Sequence, residues 1–410
     1  MNGLDSNPSV DSYMMLCTGG LEEELPSYLA RNYPRLPNLP MTPVHKQSFT
    51  NDYSGGEAGI GKLKVEVDEA SDSPEIRRLL RAHDLPGILF SMALIEVGTE
   101  SVENDESGLD NVANVIANSG NWCRALRLYS KHINDQQDDA YSLDIDEMIR
   151  KNEMKFRVSC IRDGRHEWNS TEAMKKIGGR IEERFKWPVS LVDFDCEVFV
   201  IIVHKSFLCG IPLKLMRRRH NNRMPHETRP YLNPGGRVAM LRPSNAHLLI
   251  HLSGLKNGET LLDPMGGVGT IPIEAALYFE ARCITSDNSS QASSIARQNA
   301  ENCGSMKGTL EVYEWDAVSL GVEDQSVDVI ICDMPFGKVY GKKRTMKKMA
   351  PSFLQEWSRV LAKGGRMVLL STYGSTLLEA AEKNEAVFLL KTHRVNIGGL
   401  PADITIFGKL

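Results

Sequence analysis

From about residue 237 onward, short apolar runs alternate with longer stretches of helical spacing. ETLLDPM, RCITSD, LEVYEWD, SVDVIICDMPF and GRMVLLS read as strands. LRPSNAHLLIHLSGL, opened by Pro243, reads as a helix, as do IPIEAALYFE, SSQASSIARQNAENC, PSFLQEWSRVLAKG and LLEAAEKN. FLLKTHRVNI and ADITIFGKL close the chain as two strands. Their connection, Gly398-Gly399-Leu400-Pro401, is too short for a parallel crossover, so this pair should be antiparallel. Strands alternating with helices predict an α/β fold: a parallel sheet built by right-handed crossovers, with one strand reversed near its end.

The first half is less regular. Residues 12–33 read as a strand, a glycine turn at Gly19-Gly20 and an amphipathic helix carrying Leu21, Leu25, Tyr28 and Leu29 on one face. A loop rich in Pro, Asn and Gly leads to the alternating strand LKVEV. The acidic, polar segments 100–110 and 134–146 read as exposed loops. From Phe156 a compact α/β unit follows: the strand KFRVSCIRDG, the helix TEAMKKIGGRIEERF, and two or three strands in VSLVDFDCEVFVIIVHKSFLCGIPL. The predicted divisions are 11–115, 116–215, a basic linker at 216–236 and the alternating region 237–410.

Composition narrows the class. At about 150 residues per domain, 410 residues suggest two or three domains. An apolar fraction of 41% and a charged fraction of 25% are globular values. The longest apolar run, Val198–Val203, is far short of the ~18 residues of a membrane helix, and the polar N-terminus does not read as a secretory signal. A net charge of −5 excludes a globally basic nucleic-acid binder but not local basic segments. The eight cysteines form no CxxC pair, which argues against structural zinc and for a reducing compartment, the cytoplasm, with the nucleus as the alternative.

Candidate chemistry gathers at the predicted strand ends. LLDPMGGVGT places Gly266, Gly267 and Gly269 between the first strand of the alternating region and a helix, where backbone can approach a ligand closely. The spacing is neither the dinucleotide G-x-G-x-x-G nor a P-loop. Asp263 ends that strand. Asp287, ending the next, can take both ribose hydroxyls of a nucleoside cofactor, and Asp316 can accept from an adenine amine. Each acid alone could be a helix cap or a solvated end; their convergence on one glycine loop points to a site. Asp333-Met334-Pro335-Phe336 then ends a buried strand that proline cannot continue. The carboxylate and a backbone carbonyl there can accept hydrogens from an exocyclic amine, and the aromatic ring can stack on its base.

Together these segments resemble class I S-adenosylmethionine-dependent methyltransferases. Asp333–Phe336 looks like the (Asp/Asn)-Pro-Pro-(Phe/Tyr) motif of enzymes that methylate planar exocyclic nitrogens. GRVAMLRPSNAHLLIHL, LLDPMGGVGTIPIEAA, VDVIICDMPFGKVYGKKR and VNIGGLPADITIF resemble the THUMP-domain guanine-N2 tRNA methyltransferases. The resemblance implies a seven-stranded methyltransferase sheet with its last strand antiparallel, preceded by a ferredoxin-like region (11–115) and a THUMP domain (116–215). It implies Asp333, Pro335 and Phe336 as catalytic residues and Asp263, Gly266, Gly267, Gly269, Asp287 and Asp316 as the S-adenosylmethionine site. Formation of N2-methylguanosine in tRNA, at an acceptor-stem guanosine, and a small zinc-binding activator subunit are implied in the same way. Two positions depart from the family pattern: Gly266 stands where Cys is usual, and Met334 where many relatives have Pro.

Methyl transfer to an amine needs alignment rather than a metal or a strong base. No His or Cys cluster accompanies the acidic strand ends, and His247 and His251, four apart on one helix, read as structural. RNA requires phosphate neutralisation. Arg217, Arg218, Arg219 and Arg223 in the linker, and Lys338, Lys342, Lys343 and Arg344 after the tetrapeptide, are the candidates, against the alternative of solvated faces. Four other readings remain open at this level. They are a small nuclear RNA as substrate, another amine or amide such as adenine N6 or a protein glutamine, a non-catalytic RNA-binding scaffold and, least supported, a flavin or nicotinamide oxidoreductase.

Overall fold

The structure, a computed structural model, describes residues 10–18, 20–32, 40–43, 60–68, 76–77, 90–98, 101–134, 145–213, 231, 240–334, 343–397 and 400–410. Two compact units divide the chain, Met1–Pro225 and His226–Leu410.

The first unit is built on one seven-stranded sheet. Its strands are β1 (Val10–Thr18), β2 (Met41–Pro43), β3 (Ile60–Asp68), β4 (Phe90–Gly98), β5 (Phe156–Asp163), β6 (Cys196–Val203) and β7 (Ser206–Pro212), in the order β2-β3-β1-β4-β7-β6-β5. β5 and β6 pair in parallel and the other neighbours are antiparallel. The helices are α1 (Leu25–Asn32), α2 (Glu106–Asn118), α3 (Trp122–Asn134), α4 (Ile145–Lys151) and α5 (Ser170–Phe185). The acidic segment expected to be a loop over 100–110 instead runs into α2. Asp105 caps that helix by accepting from the Gly108 amide at 2.9 Å. Leu109, Val112, Ala113, Ile116 and Ala117 bury one face, and Glu106 places a favourable negative charge in the first turn. The other segment expected as a loop, 134–146, lies largely outside the described residues. α5 starts from a reciprocal capping box between Asn169 and Glu172.

The second unit holds β8 (Thr260–Asp263), β9 (Arg282–Ser286), β10 (Thr309–Tyr313), β11 (Val327–Asp333), β12 (Leu361–Ser371), β13 (Val387–Ile397) and β14 (Leu400–Lys409). Their order is β10-β9-β8-β11-β12-β14-β13. Pairing is parallel from β10 through β12, and β14 runs antiparallel to both its neighbours. The expected seven-stranded α/β sheet with its last strand reversed is present. Leu400 and Pro401 belong to β14, and Ile397 pairs with Leu400, so the connection is shorter than the four residues read from the sequence. The helices are α6 (Pro243–Ser253), α7 (Thr270–Tyr278), α8 (Ser290–Asn302), α9 (Lys343–Val360) and α10 (Gly374–Ala381). α9 begins eight residues before the expected PSFLQEWSRVLAKG and carries Pro351 inside it. Leu354, Trp357, Leu369 and Leu377 meet in one fully buried cluster, and the Trp357 indole donates to the Ala317 carbonyl at 3.0 Å. Burying that apolar stripe outweighs the one backbone bond a helical proline removes.

Topology locates the site. From β8 the chain winds outward through β9 to β10, then returns to the other side of β8 as β11. The strand order therefore reverses between β8 and β11. Ligands of open α/β sheets bind at such a switch point, beyond the carboxyl ends of the strands.

Candidate functional site

Asp263 is the last residue of β8 and Asp333 the last of β11, the two strands that flank the switch point. After β8 the chain turns back at once. The Met265 amide donates to the Asp263 carboxylate (3.2 Å), the Gly266 amide to the Ser286 carbonyl (2.9 Å) and the Gly269 amide to the Gly266 carbonyl (2.8 Å). Gly267 and Gly269 occupy the left-handed region, with φ of 53° and 85°, and Gly269 is the N-cap of α7. Both conformations favour glycine. The loop is hydrogen-bonded to the end of β9 and opens directly into a helix N-terminus.

Asp287 follows β9 by one residue and is tied into this loop. Its carboxylate accepts from the Gly267 amide at 3.1 Å and from the Ser289 amide at 2.9 Å. The expected ribose acid and the glycine loop are thus one hydrogen-bonded piece, a link that sequence spacing alone did not reveal. Asp316 does not end a strand, as expected from EWDA. β10 stops at Tyr313, and Asp316 lies three residues farther on, exposed, in a turn where it accepts from the Val318 amide at 3.1 Å. The intervening Trp315 stacks on Tyr313 at 4.1 Å, an aromatic pair beside this acid that the sequence reading passed over.

Burial sets the electrostatics. Asp263 is enclosed, and its carboxyl is held well above the usual carboxylate range, chiefly by burial, with the charges of Asp333 and Asp287 adding to the effect. Burial likewise pushes the Asp333 carboxyl up to about 7. Asp333 Oδ1 is buried and has no hydrogen-bond partner among the described residues. Such an orphaned acceptor is costly unless a ligand meets it. Met334 is fully buried, and its amide donates to the Leu370 carbonyl at 2.9 Å, fixing the chain where it leaves β11.

The structure therefore brings together Asp263, Gly266, Gly267, Gly269, Asp287 and Asp333, with Asp316 at the margin. Pro335, Phe336, Lys338 and Lys342 lie outside the described residues, as do Arg217, Arg218, Arg219 and Arg223. Lys343 and Arg344 are in the first turn of α9, not in a loop, and their side chains lie outside what is described. His247 is structural in its setting. Its Nε2 lies 2.8 Å from Glu274 of α7, whose other oxygen accepts from the Tyr231 hydroxyl at 2.6 Å. His251 is half-buried on the same helix. Among the described residues no group of three or more His, Cys, Asp or Glu side chains is placed to hold a metal ion.

The residues fit a nucleoside cofactor with a cationic centre. A glycine loop at a helix N-terminus and a carboxylate one strand away suit an adenosine moiety, and two enclosed carboxyls beside the loop suit a positive charge.

Comparison with known proteins agrees with this geometry. Residues 228–403 match the family described as RMKL-like, methyltransferase domain. The chain is 33% identical over 272 residues to tRNA (guanine(6)-N(2))-methyltransferase THUMP3 of Bos taurus, covering 61% of this chain and 50% of that protein. It is 32% identical over 220 residues to U6 snRNA (guanine-N(2))-methyltransferase THUMPD2 of Mus musculus, covering 53% of this chain and 39% of that protein. The chain thus spans about half the length of the THUMP3 relative. Among solved structures, TrmN from Thermus thermophilus superposes with a TM-score of 0.60 at 20% identity, covering 97% of this chain and 99% of that one, a likeness of fold. The matched segment, 228–403, carries the glycine loop and the acidic strand ends.

Proposed function

We propose that this protein transfers a methyl group from S-adenosylmethionine to the exocyclic N2 of a guanosine in tRNA, at an acceptor-stem position. The observation that carries the reading is Asp333: a buried carboxyl with an unpartnered oxygen, at the switch point and beside the glycine loop. The guanine-N2 activity in the names of the relatives supports the choice of amine.

Gly266, Gly267 and Gly269 would lie along the cofactor, Asp287 would take its ribose hydroxyls and Asp316 its adenine amine. When bound, the cofactor supplies an electrophilic methyl carbon on a sulfonium. The guanine amine has its lone pair delocalised into the ring, so rate comes from alignment and from oriented acceptors. Asp333, as carboxylate, accepts one N2 hydrogen and turns the lone pair toward the methyl carbon. On transfer the amine would take the methyl group, the C–S electron pair would stay on sulfur, and Asp333 would be placed to hold the proton that N2 sheds. A carboxyl titrating at about 7 is matched to holding that proton near neutrality. Pro335 and Phe336 follow the end of β11 at Asp333, and in this reading Phe336 would stack on the base.

Beyond the site, we assign 11–115 as a ferredoxin-like region, 116–215 as a THUMP RNA-binding domain, 216–236 as a basic linker and 237–410 as the methyltransferase domain. Arg217, Arg218, Arg219 and Arg223, with Lys338, Lys342, Lys343 and Arg344, would neutralise RNA phosphates. A small zinc-binding activator subunit and a cytoplasmic setting belong to the same reading. No helix among the described residues is long and apolar enough to cross a membrane. A small nuclear RNA is the second reading, favoured by the 32% identity to the U6 snRNA enzyme of mouse. Methylation of total RNA from cells lacking the protein, followed by nucleoside mass analysis and site mapping, decides between them. N2-methylguanosine in tRNA is the expected product. N2-methylguanosine in U6 RNA would select the second reading, and N6-methyladenosine or no product would refute both.

A further inference from the structure

We propose that Thr285 is a positioning residue for the cofactor loop, matched to the missing side chain of Gly266. This rests on the cofactor reading above. Gly266 lies outside the left-handed region, so its backbone conformation does not demand glycine. Space does. A Cβ on Gly266 would stand 1.8 Å from Thr285 Oγ1 and 3.2 Å from Thr285 Cβ, far inside van der Waals contact. Thr285, near the end of β9, is 2% exposed, and its hydroxyl lies 3.5 Å from the Asp263 carbonyl. A β-branched side chain has few rotamers, and burial on all sides leaves little room to turn away. The hydroxyl of one residue thus fills the volume the other leaves empty.

The consequence falls on the site. The Gly266 amide is bonded to the Ser286 carbonyl, and the next amide, Gly267, to the Asp287 carboxylate. A side chain at 266 would lift the loop from β9, strain both bonds and move Gly267 away from the proposed ribose acid. Thr285 would touch no ligand; it would act by where it lets the loop lie.

The test is calorimetric titration of S-adenosylhomocysteine into the full-length chain, with thermal melting of each ligand-free variant. Gly266→Ala should weaken binding on the order of tenfold to a hundredfold. Adding Thr285→Ala should restore most of that loss. Adding Thr285→Val should not, because valine keeps a branch where the hydroxyl was. Ligand-free Gly266→Ala should melt close to wild type, since loop position and not the core is altered. Wild-type affinity in Gly266→Ala, or rescue by Val as well as Ala, would overturn the pairing. So would a melting loss that tracks the affinity loss and is repaired with it. Failure of the wild-type chain itself to bind would instead sink the cofactor reading on which the pairing rests.

Discussion

At the scale of single residues, Asp333 carries the most. Its carboxyl titrates at about 7 because it is buried, and its proposed role needs the ionised form. Single-turnover methylation should therefore rise as pH passes through about 7, and Asp333→Asn should flatten that rise while slowing the reaction. Stability should move the other way. A folded-state pKa raised above the unfolded value of 3.8 gives stability that is complete below that value and is lost as pH rises through about 7. The ligand-free wild type should accordingly melt earlier at pH 8 than at pH 5 by more than Asp333→Asn does. A rate profile unchanged by the substitution would remove Asp333 from the chemistry. The neighbouring contacts make a separate prediction. Asp287→Ala deletes the acceptor for the Gly267 and Ser289 amides, and Gly267→Glu forces a side chain into a left-handed position. Each should abolish S-adenosylmethionine binding in calorimetry while the far-ultraviolet circular dichroism stays that of a folded chain. Most of these residues were legible in the sequence as candidates, because several acids converge there on one glycine loop, although each alone could be a cap or a solvated end. Thr285 was not, because nothing in a sequence says that its hydroxyl meets Gly266.

At the scale of elements, the strand–helix alternation after residue 240 was legible because each apolar run there is short and bounded. The misreadings have local causes. Asp105 and Glu106 looked like loop and are the N-cap and first residue of α2, whose buried face has ordinary helical spacing. Phe90–Gly98 went unread as a strand; its register slips between Leu94 and Glu96, which spoils a clean alternation. Pro351 suggested a helix start and is interior to α9. That last correction changes the expected basic surface, since Lys343 and Arg344 open a helix and do not extend a loop. Charge reversal across Lys342, Lys343 and Arg344 should weaken RNA binding more than cofactor binding. Each lost phosphate contact should lower the salt slope by ~0.7 to 0.9. An unchanged slope in filter binding across a salt series would mark these side chains as solvated.

At the scale of the whole molecule, the second sheet was predictable in class and in its reversed last strand, because connection lengths restrict topology. The first sheet was not. Its pairing of β4 with β7 joins residues over a hundred positions apart, and no local pattern encodes such a partner. The functional proposal draws on the second sheet, whose strand ends were legible and whose switch point the structure supplied, and one measurement reaches it most directly. Single-turnover methylation of an unmodified tRNA transcript by wild type and Asp333→Ala, with nucleoside analysis of the product and S-adenosylmethionine affinity measured alongside, tests chemistry, site and substrate together. The expected result is N2-methylguanosine from the wild type, and from Asp333→Ala a rate lower by about 10²- to 10³-fold with cofactor affinity nearly intact. A near wild-type rate in Asp333→Ala, or a methyl group on any nucleoside other than guanosine, would contradict it.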